Sequence, residues 1–177
     1  MLILLKSLAK VLKVLKDGAT PNQIAGGVAL GFVLGMTPGW PLQMLLILFI
    51  TLLLNVNLTM AGVATLLGAT MGLLLDPLIN MFGRILLQDL TAFKGLYTAM
   101  YNNPFLMLTR FNNTVVMGSL VVSLLLAAPV FFLSRRGVVV YRKKYLPKMD
   151  KFKVIQLLKG SKLYGLYVRL DRMGVMK

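Results

Sequence analysis

Residues 20–41 run TPNQIAGGVALGFVLGMTPGWP, and this stretch decides how the rest of the chain is organised. Thr20-Pro21 is a helix-start signal. The Thr side chain caps the first turn, and Pro sits where its missing N–H has no intrahelical partner. The residues that follow, to Met36, are almost all apolar or Gly, and Thr37-Pro38-Gly39-Trp40-Pro41 then breaks the helix. A second apolar segment runs from about Pro41 to Leu54 and ends near Asn55-Val56-Asn57. Both segments are short, since a spanning helix needs about 20 residues. Two arrangements follow: two short crossings joined by a tight turn, or one re-entrant hairpin. Re-entrant backbone is tolerated where protein or a water-filled cavity surrounds it. Trp40 suits a membrane–water interface in either case.

Working outward, a third segment runs from Leu58 to Leu75 and meets Asp76-Pro77. A last one, Val115 to Leu133, meets Ser134-Arg135-Arg136 at an abrupt stop. Thr37-Pro38, Asp76-Pro77 and Asn103-Pro104 repeat the pattern of Thr20-Pro21, so each is expected to start a helix. Pro77 to about Met100 alternates apolar and polar groups, which predicts an amphipathic helix against the outer face. Leu30-Gly31, Gly35 and Pro38 are weakly echoed by Leu67-Gly68, Gly72 and Pro77, the kind of repeat many transporters carry.

The composition agrees. The chain has 177 residues, 58% hydrophobic and 14% charged. A soluble domain is about 25% charged. The charge is 20 Lys and Arg against 5 acids, all Asp. Between residues 17 and 134 the basic residues are Arg84, Lys94 and Arg110; the rest lie at the two ends. A nucleic-acid binder would be basic with a polar body, and this body is apolar. The basic ends therefore mark cytoplasmic flanks. An even number of crossings follows: four with 21–37, 41–55, 58–75 and 113–133, or two if the first pair re-enters. The expected fold is an all-α polytopic membrane protein. A basic amphipathic interfacial helix covers 1–19, the membrane domain 20–134, and a basic cytoplasmic tail 135–177. Lys6, Lys10, Lys13 and Lys16 share one face of the first helix. With Arg135, Arg136, Arg142, Lys143 and Lys144 they are the expected surface for anionic headgroups of the bilayer, at about 1 kcal/mol per charge.

Gly27, Gly31 and Gly35 lie four apart, and Gly68 and Gly72 repeat the spacing. Small residues so spaced let helix backbones approach closely. Packing the first segment on the third is the simpler use, and homo-oligomerisation the other. Pro38, Pro41 and Pro77 are the helix breaks. Asp76, Asn80, Arg84 and Gln88 form a polar stripe. An ionisable residue inside a bilayer suggests function by default, although Asp76 would also serve as an N-cap. Gln43, just after the Pro turn, is placed to satisfy freed backbone groups. Gln43, Asp76, Asn80 and Arg84 are the candidate contacts for a lipid or substrate.

With no Cys and no His, thiolate chemistry and the commonest metal ligand and general base are absent. No carboxylates pair at short spacing and no phosphate-cradling loop appears. The expectation is a chain without catalytic activity, metal or cofactor.

Pro21, Gln23-Ile24-Ala25, Ala29-Leu30-Gly31, Gly35, Thr37-Pro38, Leu42-Gln43, Asn57 and the Pro77 turn resemble the membrane family called Domain of Unknown Function 2062. The likeness covers residues 20–83. The family's later turn usually reads Asn-Pro, where this chain has Asp76-Pro77, so no family role is carried to that position. The resemblance implies a polytopic bacterial inner-membrane protein. Some relatives look fused to glycosyltransferases that use polyprenyl lipids, and a longer subgroup looks paired with a large envelope protein. The expected function is a non-enzymatic membrane partner of an envelope or lipid-handling complex. The alternative is a small transporter or lipid flippase built on the Pro-broken segments and the Asp76 stripe.

Overall fold

The computed structural model describes residues 19–146, with Val11, Val14 and Leu15 before them. The expected helix over 1–19, with Lys6, Lys10, Lys13 and Lys16, and the tail beyond Leu146 lie outside the described residues. The chain divides into two units, residues 1–138 and 139–177. The described residues form helices and turns throughout. Two stretches, Leu58–Asp89 and Thr114–Tyr145, are each 32 residues long and apolar enough to cross a membrane.

Helix α1 (Pro21–Met36) starts on a full capping box. The Gln23 amide donates to Thr20 Oγ1 at 3.2 Å, and the Thr20 amide donates to Gln23 Oε1 at 2.9 Å. Two orphan amides are thereby satisfied together. This helix is buried on several sides, at Ile24, Ala25, Gly27, Ala29, Phe32, Val33, Leu34 and Met36 among others. Helix α2 (Leu42–Leu53) is its opposite. Only Thr51 is buried, and Leu46, Phe49, Leu52 and Leu53 are exposed. An apolar surface this continuous belongs against acyl chains, where no water penalises it.

Helix α3 (Leu58–Arg84) starts on Asn57, whose Oδ1 accepts from the Met60 amide at 2.9 Å. It runs parallel to α1. Gly27 rests on Asn57 and Ala61, Gly31 on Ala61, and Gly35 on Thr65 and Ala69. From the other side Gly68 meets Phe32 and Gly35, and Gly72 meets Met36. A side-chain carbon on Gly68 would stand 2.7 Å from the Phe32 carbonyl oxygen, so the contact is backbone to backbone.

The Asn57 amide donates to the Gln23 carbonyl at 2.9 Å. The α1–α2 hairpin therefore leaves and returns at one end of α3. Helix α6 (Thr114–Val140) runs back along α3, with Gly83 on Thr114 and Gly118 on Ile79. At its far end Arg135 Nε donates to Asn22 Oδ1 at 2.7 Å. From Thr114 to Arg135 is about 31 Å of helix, close to one hydrocarbon thickness. Helix α1 is only about 24 Å long. Its end, Met36, lies beside Gly72, and Gly83 is about 16 Å farther along α3. Met36 packs in one buried cluster with Ile79, on which Gly118 of α6 rests, and the turn beyond Met36 touches Arg110, four residues before α6 begins, so the hairpin tip reaches the α3–α6 junction.

Several expectations need correction. Thr37 ends α1 instead of starting a helix. Pro38 disfavours helical backbone at the residue before it, Gly39 turns the chain at φ 78°, and α2 starts only after Pro41. Asp76 is not an N-cap, because α3 runs continuously through Pro77. The cost of an interior Pro is carried by packing on both sides of it: Gly72 on Met36 before, Ile79 and Gly83 on α6 after. The repeat between the first and third segments therefore has two different outcomes, a turn after Pro38 and a continuing helix through Pro77. The amphipathic helix expected over 77–100 is divided. Pro77–Arg84 belongs to α3, a π turn covers Ile85–Asp89, a 3-10 turn Thr91–Phe93, and α4 spans Lys94–Tyr101. Asn103-Pro104 does start a helix, the short α5 (Pro104–Met107). Finally α6 continues past Ser134-Arg135-Arg136 to Val140. Cations suit the last turns of a helix, where the dipole is negative, so the end of the apolar run does not end the helix.

Candidate functional site

The hairpin tip carries a cleft of about 330 Å³. Its walls are the turn from Met36 to Trp40, Met44 of α2, Gly72, Leu73, Asp76 and Ile79 of α3, and Val115 of α6. Two local features of the sequence place it there. The Pro38–Pro41 turn ends α1 early, and Gly35 and Gly72 hold α1 close enough to α3 for the tip to lean on it. Most of the wall is apolar. Asp76 is the charged residue in it, and it is exposed. Pro77 adds a second acceptor. It has no N–H to give the Leu73 carbonyl, its usual i−4 partner, and Leu73 lines the same cleft.

A segment remote in sequence packs on the tip turn beside this cleft. The Leu42 amide donates to the Leu108 carbonyl at 3.0 Å, which ties the start of α2 to the turn after α5. Arg110 follows in the left-handed region at φ 51°. That conformation costs an L-residue about 1–2 kcal/mol, and the flanking contacts hold it. A carbon on Gly39 would lie 3.4 Å from Arg110 Nη1, so the guanidinium sits against the tip turn.

Thr114 Oγ1 and Asn80 Oδ1 are hydrogen-bonded at 2.5 Å between α6 and α3. Beyond this pair lies a second cleft, about 480 Å³, lined by Gln88, Lys94, Tyr97, Tyr101, Asn112 and Thr114 among others. Tyr97 organises it. Its hydroxyl donates to the Leu86 carbonyl at 3.2 Å and its ring stacks on Phe111 at 6.2 Å between centroids.

The polar stripe therefore separates. Asp76 is in the tip cleft and Asn80 is engaged with Thr114. Arg84 is exposed beyond both, and Gln88 is carried onto the π turn and into the second cleft. Gln43 lines neither cleft; its Oε1 is sealed from solvent with no partner. Among the basic residues expected at headgroups, Arg136, Lys143 and Lys144 are exposed, Arg142 is half-buried, and Arg135 is exposed while bonded to Asn22. Reasoning from the sequence missed Gly83, Gly118 and Arg110. A scan for small residues four apart would have found Thr114 and Gly118. No pattern announces Arg110, whose role depends on a contact 71 positions away with Gly39.

These elements all fall within one family match. A family model described as "Uncharacterized protein conserved in bacteria (DUF2062)" covers residues 7–146. The chain belongs to this family. Family DUF2062 thus accounts for the hairpin, both long apolar helices and the Arg110 turn, well beyond residues 20–83, where the resemblance is carried. A protein of Treponema pallidum (strain Nichols), named "Uncharacterized protein", is 25% identical over 160 residues, which is 90% of this chain and 98% of that one. No solved structure matches. The chain is accordingly a membrane protein of family DUF2062, built from helices and holding two of spanning length.

Proposed function

We propose that this chain is a non-catalytic membrane partner of a lipid-handling envelope complex, and that its tip cleft admits a phospholipid headgroup. One observation carries the reading. The space beside the hairpin tip, next to the junction of α3 and α6, holds a carboxylate, Asp76, on an otherwise apolar wall. A bilayer penalises an isolated carboxylate by at least about 2.5 kcal/mol, so a polar occupant has a use there. The length of α1, about 24 Å against a hydrocarbon thickness of about 30 Å, favours the re-entrant arrangement. The hairpin enters from the end marked by Arg135 and Arg136, which basic flanks assign to the cytoplasm, and its tip approaches the opposite headgroups. Both termini are then cytoplasmic. The glycines of α1 and α3 serve packing inside the monomer, which leaves the bare apolar face of α2 to lipid or to a helix of the larger partner.

The test is purification from native membranes in mild detergent, followed by lipid extraction and identification of co-purified protein. Retained phospholipid together with a large partner is expected. A clean, delipidated chain sinks the proposal.

A second reading, a small lipid flippase, is favoured by the Asn80–Thr114 bond. Thr114 lines the outer cleft, and its neighbour Val115 lines the tip cleft. A path joining the two would pass this pair. In proteoliposomes carrying labelled phospholipid, Asp76→Asn should then stop transfer between leaflets; unchanged transfer removes this reading.

A further inference from the structure

The tip cleft has polar features of opposite sign at separate places. On the α3 side are the Asp76 carboxylate and Leu73, whose carbonyl loses its helical donor at Pro77. Beside the cleft is the Arg110 guanidinium, against Gly39, a residue of its wall. Among the described residues, neither the Asp76 nor the Arg110 side chain makes a hydrogen bond or ion pair. Two opposite charges this close to one cleft, each without a partner, call for an occupant that carries both signs. The walls between them, Met36, Trp40 and Ile79, are apolar and suit the glycerol and upper acyl carbons. Trp40 is 70% exposed at the mouth, where an indole favours the headgroup level.

We infer that the tip cleft selects a zwitterionic aminophospholipid, with its ammonium on Asp76 and its phosphate on Arg110. This rests on the proposal that the cleft admits a headgroup, and adds which headgroup. An ammonium offers several donors to a carboxylate and a carbonyl. A guanidinium matches phosphate oxygens with paired donors. An anionic lipid such as phosphatidylglycerol would satisfy Arg110 but offer Asp76 only neutral hydroxyls, with no cation to pair its charge. Arg135 and Arg136 favour anionic lipid at the other end of α6, so the two ends of that helix would differ in lipid preference.

The full chain is reconstituted in vesicles of equal phosphatidylethanolamine and phosphatidylglycerol, then extracted, and its retained lipid is measured by native mass spectrometry. The retained ratio of phosphatidylethanolamine to phosphatidylglycerol is expected to be about five to one, against one to one in the vesicle, the worth of one charge pairing near a membrane surface. Asp76→Asn should abolish the enrichment while total retained lipid stays the same, and Asp76→Glu should restore it. Arg110→Gln should lower retention of both lipids. Asp76 is exposed and unbonded, so its near-isosteric variants keep the fold. Equal or greater retention of phosphatidylglycerol, or enrichment that survives Asp76→Asn, overturns the inference and leaves headgroup capture standing. Absence of any retained lipid overturns both. Soluble glycerophosphoethanolamine should compete poorly because it lacks acyl chains. Competition as strong as that of intact lipid would overturn the assignment of a membrane lipid.

Discussion

Asn80 of α3 and Thr114 of α6 share a hydrogen bond of 2.5 Å, each next in sequence to a wall residue of the tip cleft, Ile79 and Val115. Bonds of this kind between membrane helices are worth about 0.6 kcal/mol on average, because the separated helices find other partners. A double-mutant cycle of Asn80→Ala and Thr114→Val, followed by unfolding in mixed micelles, should return a coupling of about that size. A coupling near zero would mean that the close approach of Gly83 and Gly118 holds this junction alone.

Gly31 and Gly62 make a matched pair. A side-chain carbon at Gly31 runs into the backbone of Ala61, whereas one at Gly62 meets nothing within 4 Å. Gly31→Ala should therefore destabilise the chain by about 1–3 kcal/mol, the usual cost of overpacking. Gly62→Ala should stabilise it by up to about 1 kcal/mol through helix propensity. Thermal unfolding of the two variants checks the sign. Similar losses in both would point to a partner covering Gly62.

Gln43 has an acceptor sealed from solvent and unbonded. An orphaned polar group costs about 1–3 kcal/mol. Gln43→Leu should raise the unfolding temperature and leave lipid retention unchanged, since Gln43 lines neither cleft. A loss of retained lipid in this variant would make Gln43 a ligand contact after all.

The chain has no Cys, so single cysteines can report topology directly. Arg136→Cys should react with a membrane-impermeant maleimide from the cytoplasmic side only, and Asn102→Cys from the opposite side only. Trp40→Cys should react from the same side as Asn102→Cys but more slowly, because the tip lies among the headgroups while Asn102 is in an exposed turn. Equal rates at the two positions would show that the hairpin crosses fully.

The sequence by itself settled much of this protein. Thr20-Pro21 and Asn103-Pro104 start helices where expected, because capping is local: one side chain and the next few amides decide it. The apolar runs of α1, α2 and α6, and the break at Pro38–Pro41, were equally plain, since hydropathy and proline act within a turn or two. The α1 glycines were visible as a spacing. Their packing on the third segment was one of two expected uses, and tertiary structure alone decided the parallel direction of α3 against them. It also decided that Pro77 lies inside a helix. Local chemistry favours a break there, and contacts with Met36 on one side and α6 on the other outweigh it. Arg110 is the clearest case. As a letter it is one cation in a polar turn, and only the folded chain brings it to Gly39, beside the cleft that holds Asp76. Helix starts and apolar runs depend on neighbours in sequence and can be seen there. A site built from two charges on separate elements depends on distance in space, which the packing of the helices alone determines.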